Sequence, residues 1–174
     1  MLTFRPVAHA DLDLVRVMHN DPSTLLQLGD PTPVTTAGQE AWFERMQRPG
    51  ADKTFLVCLQ SSGEPVGVWR LQTADRINRV CEVGVDIFPQ YRRQGLGLAA
   101  YRMLLAHVFG TLEMAMVYLR VGAFNEAGLQ LYRQVGFTET GRLVSSMERH
   151  GRRWDTIFMC ITREEYDARR TGGA

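Results

Sequence analysis

Between Val80 and Val121 the chain runs as a strand, a proline stop, a basic glycine loop, a long helix and a second strand, and this order constrains the fold more than any other stretch. Val80 to Phe88 (VCEVGVDIF) alternates, with Val83, Val85 and Ile87 on one face and Glu82, Gly84 and Asp86 on the other. Pro89 ends that strand. Leu96, Ala99, Ala100, Met103, Leu104, His107 and Val108 then recur at helical spacing, over about Gly95 to Phe109. Met114 to Val121 (MAMVYLRV) reads as the next strand. Such a unit predicts a right-handed crossover, which sets its two strands parallel.

The rest of the chain builds around this unit. Leu2 to Pro6 is a short strand. Asp11 to Asn20 carries Leu12 and Val15 at helical spacing, and Asp21-Pro22 breaks it. Thr35 or Thr36 is placed to cap a helix over Gln39 to Gln47. Thr54 to Gln60 is apolar on both faces, and Val66 to Leu71 returns from the turn at residues 61–65. Asn125 to Val135 is a helix stopped by Gly136. Thr138 to Arg149 and Arg152 to Thr162 form a hairpin joined near His150-Gly151, and Arg163 to Arg170 is a short polar helix. The expected fold is α/β (α+β): one mixed sheet of about seven strands, with helices packed on it, the fourth and fifth strands parallel, in a single domain over 1–174.

Composition bounds the function. A formal charge of +1 lacks the basic footprint of a nucleic-acid binder, so no nucleic-acid partner is expected. No apolar run reaches the roughly 18 residues of a membrane span. No charged leader precedes an apolar stretch at the N-terminus, so a cytoplasmic location is the expectation. Cys58, Cys81 and Cys160 each lie in apolar runs and read as reduced core thiols. His9, His19 and His150 lack metal-site spacing, and no metal is expected. His107, on the apolar stripe, reads as a core histidine. Trp42, Trp69 and Trp154 read as packing residues, with lining of a pocket as the alternative.

The loop Arg92-Arg93-Gln94-Gly95-Leu96-Gly97 is built for anions. Its glycines let backbone approach a ligand closely, free N–H groups at a helix start point at negative charge, and two arginines add more. A phosphorylated ligand is expected. The GxxxxGK[ST] phosphate loop and the dinucleotide GxGxxG pattern are both missing. The loop instead resembles the acetyl-CoA signature of the GCN5-related N-acetyltransferases (GNAT superfamily). A second segment, from Asn125 through Leu131-Tyr132 to Gly136-Phe137, resembles that family's last helix. The stretches HNDPSTLLQLGDPTPVTTAGQEAWFERM and GRRWDTIFMCITREEY are similar to its ribosomal-protein and spermidine acetyltransferase branch.

The resemblance implies an acetyl-CoA-dependent N-acetyltransferase, in which the fourth and fifth strands splay and the cosubstrate's pantetheine arm lies along the fourth. Val85, Asp86 and Ile87 would hold that arm. The N–H groups of residues 93 to 98, with Arg92, Arg93, Gln94, Gly95, Leu96, Gly97 and Leu98, would hold the pyrophosphate. Asn125 would touch the arm, or simply cap its helix. Tyr132 is the implied catalytic acid, giving a proton to the departing thiolate, with a packed core tyrosine as the alternative. Some members use a glutamate base on the fifth strand, where this chain has Arg120. Glu82 matches a base on the fourth strand, with a structural carboxylate paired to an arginine as the alternative.

The acceptor that the resemblance implies is a primary amine: a protein N-terminus, a polyamine, an amino sugar or another small amine. Asp11, Asp13, Asp21, Asp30, Glu40 and Glu44 permit a polyamine site, and Asp86 is a possible acidic lining. A homodimer through the late strands is a further expectation. The rival reading is a CoA-binding sensor or structural module without turnover.

Overall fold

The computed structural model describes residues 1–50 and 52–171, so the last three residues of the expected domain span lie outside the described residues. Seven strands form one sheet: β1 (Leu2–Pro6), β2 (Lys53–Leu59), β3 (Pro65–Asp75), β4 (Val80–Ile87), β5 (Met116–Gly122), β6 (Thr138–Arg149) and β7 (Arg152–Thr162). Their order is β1-β2-β3-β4-β5-β7-β6. The β4–β5 pair is parallel, as the crossover requires, and every other pair is antiparallel.

The helices are α1 (Leu12–Asn20), α2 (Pro22–Leu25), α3 (Thr36–Met46), α4 (Leu96–Gly110), α5 (Glu126–Val135) and α6 (Arg163–Thr171). They divide between the two faces of the sheet. Trp69, Leu71, Cys81, Val83, Val117 and Leu119 pack against α4 and α5. Leu56, Cys58 and Val68 pack with Leu12, Val15 and Met46 from α1 and α3. Neighbouring β2 residues thus serve opposite cores, which is why that strand is apolar throughout.

Several local expectations shift. The Asp21-Pro22 break is a helix start: Asp21 Oδ1 accepts from the Ser23 and Thr24 N–H groups and Pro22 takes the first helical position, giving the single turn of α2. β3 runs past Leu71 to Asp75 because pairing with β4 continues to Val80. The irregularity there lies on β3 between Gln72 and Asp75, with Thr73 at φ 46°, while β4 keeps an unbroken register from Glu82 to Ile87. The alternating faces of β4 therefore stand as the sequence implies.

On α4 the apolar face is wider than the expected stripe. Ala99 is exposed, whereas Tyr101, Leu105 and Phe109 are buried. The helix meets neighbours beside the sheet: Phe109 stacks on Tyr166 of α6 at 4.8 Å, and Tyr101 meets Tyr132 of α5 edge-on at 5.4 Å. His107 packs on Phe4 and Trp69, and burial holds its imidazole below the usual histidine range.

Candidate active site

The parallel ladder between β4 and β5 is short. It pairs Val80 with Met116, Cys81 with Val117 and Glu82 with Tyr118, and goes no further. β4 continues to Ile87 on its β3 side, and β5 continues to Gly122 on its β7 side. From Val83 onward the facing edges have no strand between them. A gap opens in the middle of the sheet, and the edge of Val85 to Ile87 offers backbone donors and acceptors to an extended ligand.

The glycine loop lies at the mouth of this gap. A 3-10 turn over Pro89–Tyr91 follows β4, and α4 starts at Leu96. Arg93 and Gly95 sit at φ 60° and 76°, which curls the loop so that successive N–H groups point the same way. The N–H groups of residues 93 to 98 donate to no protein acceptor among the described residues, and Gly95 supplies no side-chain cap. This start of a fifteen-residue helix is thus left open to an anion.

Three loop residues do other work than their pattern implies. Arg92 is half-buried and its guanidinium is committed within the protein. Nε donates to Ile87 O at 2.9 Å, Nη1 to Ser23 Oγ at 2.7 Å and Nη2 to Thr24 Oγ1 at 2.6 Å. It ties the loop to α2 and lends only its charge to the mouth. The side chain of Arg93 is exposed. At Gly97 an added Cβ would meet Leu131 Cδ2 at 3.1 Å, so this glycine lets α4 approach α5. Gln94 Nε2 turns back to Gln90 O at 3.3 Å.

Tyr132 reaches the gap from α5. The Asn125 side chain accepts from Gly128 N at 2.9 Å and fixes the start of that helix, leaving Nδ2 without a partner among the described residues. Tyr132 is half-buried, and burial raises its phenol above the ordinary tyrosine value. The Tyr101 hydroxyl lowers it against that burial, Asp86 raises it and Arg70 lowers it, which places both charges near the ring. At neutral pH this phenol holds its proton.

On the α1 and α3 side the strands turn polar. Glu82 is 8% exposed and accepts from Arg120 Nε at 2.9 Å through Oε1, while Oε2 takes no protein hydrogen bond. Asp86 pairs with Arg70 of β3. The acidic lining that Asp86 suggests is therefore neutralised in place. His19 ends α1 nearby, and burial, then the charge of Arg70, lowers its pKa.

Arg149 closes this side of the molecule. It is 7% exposed, and its fork donates to the carbonyls of Leu26 at 3.1 Å, Leu28 at 2.5 Å and Gly29 at 3.2 Å. The end of β6 is thereby clamped to the segment that joins α2 to α3. Phe124 and Trp154 meet edge-on at 5.8 Å, with Arg152 over the Trp154 ring at 4.2 Å. Trp69 is fully buried in the core.

Sequence reasoning passed over Arg70, Arg149 and His19. Only the spacing of Arg70 carried a signal: it falls on the polar face of β3 in register with Gly84. Among the described residues no group of His, Cys, Asp and Glu is placed to hold a metal ion, and no helix is long and apolar enough to cross a membrane.

An open parallel ladder with an uncapped helix start at its mouth is the architecture expected of a CoA-dependent acyltransferase. The chain belongs to the acetyltransferase (GNAT) domain family, whose pattern matches residues 1–138. It is an acetyl-CoA-dependent N-acetyltransferase acting on an amine. It is 25% identical over 162 residues to a spermidine N(1)-acetyltransferase of Escherichia coli, covering 93% of this chain and 86% of that one. It is 26% identical over 163 residues to an L-methionine sulfoximine/L-methionine sulfone acetyltransferase of Pseudomonas aeruginosa, covering 90% and 92%. Its fold matches the crystal structure of a Vibrio cholerae spermidine N-acetyltransferase in complex with CoA and spermine. The TM-score is 0.88 at 24% identity, covering 95% of this chain and 97% of that chain.

Proposed function

We propose that the enzyme acetylates a small primary amine by direct attack, with both substrates held in the gap between β4 and β5. The observation that carries this reading is the end of the parallel ladder at Glu82 and Tyr118, with the half-buried Tyr132 close to Arg70 and Asp86. The pantetheine arm would pair with the free edge of Val85, Asp86 and Ile87. The N–H groups of Arg93, Gln94, Gly95, Leu96, Gly97 and Leu98 would take the pyrophosphate, and Asn125 Nδ2 is free to donate to the arm.

The neutral amine attacks the thioester carbonyl, forming the C–N bond. The C–S bond then breaks, and its electron pair leaves on sulfur. Tyr132 donates the proton that turns this thiolate into the thiol, and the amine's proton goes to a base or to water. Glu82 has one oxygen free for that task and the other fixed by Arg120. A purely structural Glu82 would leave the acid limb of the rate profile unchanged in Glu82→Gln, whereas a base would not.

Supporting a cytoplasmic setting, acetyl-CoA is made inside cells and the three cysteines are unpaired. Supporting a homodimer, the edge strand β6 leaves Leu143 and Val144 57% and 72% exposed.

The test is thiol release from acetyl-CoA against polyamines, amino sugars, amino acids and short peptides, with wild type and Tyr132→Phe. Release with one acceptor class, reduced about a hundredfold in kcat by Tyr132→Phe with acetyl-CoA affinity retained, is expected. Acetyl-CoA binding without release across the panel would overturn the transferase assignment in favour of a CoA-binding module.

A further inference from the structure

The relatives act on acceptors of opposite character, a polyamine and amino-acid analogues, so likeness alone does not choose between them. The charges lining the gap do. The polar face of β4 presents Glu82, Gly84 and Asp86, and each carboxylate has its own guanidinium: Arg120 for Glu82 and Arg70 for Asp86. Two carboxylates and two guanidiniums leave this face with no net charge. Of the other acids that would permit a polycation site, all but the exposed Glu44 of α3 are engaged elsewhere. Asp11 pairs with Arg5, Asp13 with Arg16 and Glu40 with His9, while Asp21 caps α2 and Asp30 holds the N–H of Thr32.

Between the two acids stands a guanidinium. A Cβ added at Gly84 would come within 2.9 Å of Arg70 Nη2, so the fork lies directly over the β4 backbone at its middle position. Gly84 is the small residue that makes room for it. Only Nη1 is used by the protein, in the bond to Asp86. Nε and Nη2 donate to no protein acceptor among the described residues, and Asp86 accepts from Arg70 alone. The influence of both charges on Tyr132 sets the pair beside the proposed proton donor.

We propose that Arg70 is the specificity-determining residue of the acceptor site, and that the acceptor is an amine bearing a carboxylate within a few bonds of its nitrogen, an amino-acid-like zwitterion. This rests on the gap being the site of transfer. The two free Arg70 N–H groups match the two oxygens of a carboxylate, and Asp86 is next to them for the nitrogen. A polyamine would bring only positive charge to this fork, and both carboxylates of the β4 face are already paired.

The experiment compares matched pairs: L-methionine with 3-(methylthio)propylamine, L-phenylalanine with phenethylamine, and spermidine as the polycation. Thiol release is followed for wild type, Arg70→Gln and Arg70→Lys. Wild type is expected to favour each amino acid over its decarboxylated partner by about tenfold or more in kcat/KM, with spermidine the poorest. In Arg70→Gln that ratio falls towards one, through a raised KM for the acid, and Arg70→Lys restores part of it. Equal use of each matched pair by wild type, or preference for spermidine, overturns the proposal and leaves the transferase standing. Release with none of these amines but with another, such as an amino sugar, also overturns it. If Arg70→Gln does not fold, the wild-type ratios decide alone.

Discussion

Arg149 offers a direct test of how the acceptor side is held together. The side chain is 7% exposed, and three of its hydrogen bonds cross to the Leu26, Leu28 and Gly29 carbonyls, more than a hundred residues away in sequence. A hydrogen bond to a charged group contributes about 1.5–3 kcal/mol. Three such bonds summed would overstate the loss. The bonds share one fork, and the carbonyls lie on a partly exposed segment that water can reach once the fork is gone. A loss of about 2–4 kcal/mol for Arg149→Ala follows, which in a chain of this size lowers Tm by roughly 5–15 °C. Arg149→Lys keeps the charge and loses the fork, and is expected to recover less than half of the difference. Scanning calorimetry of the three proteins reads both values. An Arg149→Ala Tm within about 2 °C of wild type would refute the reasoning, as would full recovery by lysine.

Three further outcomes follow from single contacts. Arg92→Ala removes the link from the glycine loop to Ser23 and Thr24, and is expected to raise the acetyl-CoA KM several-fold, read by thiol release; an unchanged KM would free the loop from dependence on α2. Gly95→Val forces a β-branched residue to φ 76°, costing about 1–3 kcal/mol and distorting the anion loop, so acetyl-CoA binding by calorimetry should weaken by at least tenfold. Asp11 is held below its usual pKa of 3.8, first by the Arg5 hydrogen bonds and then by the Ala8 N–H against the cost of burial. Its stabilisation is present above pH 4 and is lost as pH falls through the lowered value. With Arg5 half-exposed, Asp11→Asn should cost about 1 kcal/mol at pH 7 and almost nothing near pH 2, measured by urea unfolding at both.

Much of the fold was legible because its signals are local. The β6–β7 hairpin has the bounds that its turn and alternation imply, Thr138–Arg149 and Arg152–Thr162. The start of α5 at Asn125 and its end at Gly136 follow from a cap and a left-handed stop. The open helix start after the glycine loop was readable for the same reason: glycine spacing and a helix start are properties of neighbouring residues. The β3 irregularity at Thr73 carries no glycine and so left no mark in the sequence.

The long charged side chains show where sequence reading ends. Arg92 looks like a phosphate ligand from its neighbours, yet its fork is satisfied by Ile87, Ser23 and Thr24. Asp86 looks like an acidic lining, yet Arg70 neutralises it from the adjacent strand. Arg149 looks like the last residue of a strand, yet it clamps the end of β6 to the α2–α3 segment. Backbone periodicity and glycine placement act over a few residues, so the sequence by itself determined the strands, the crossover and the glycine loop. A guanidinium reaches across the sheet to whichever acceptors folding brings near, so only the tertiary structure decided which charges along the gap are paired.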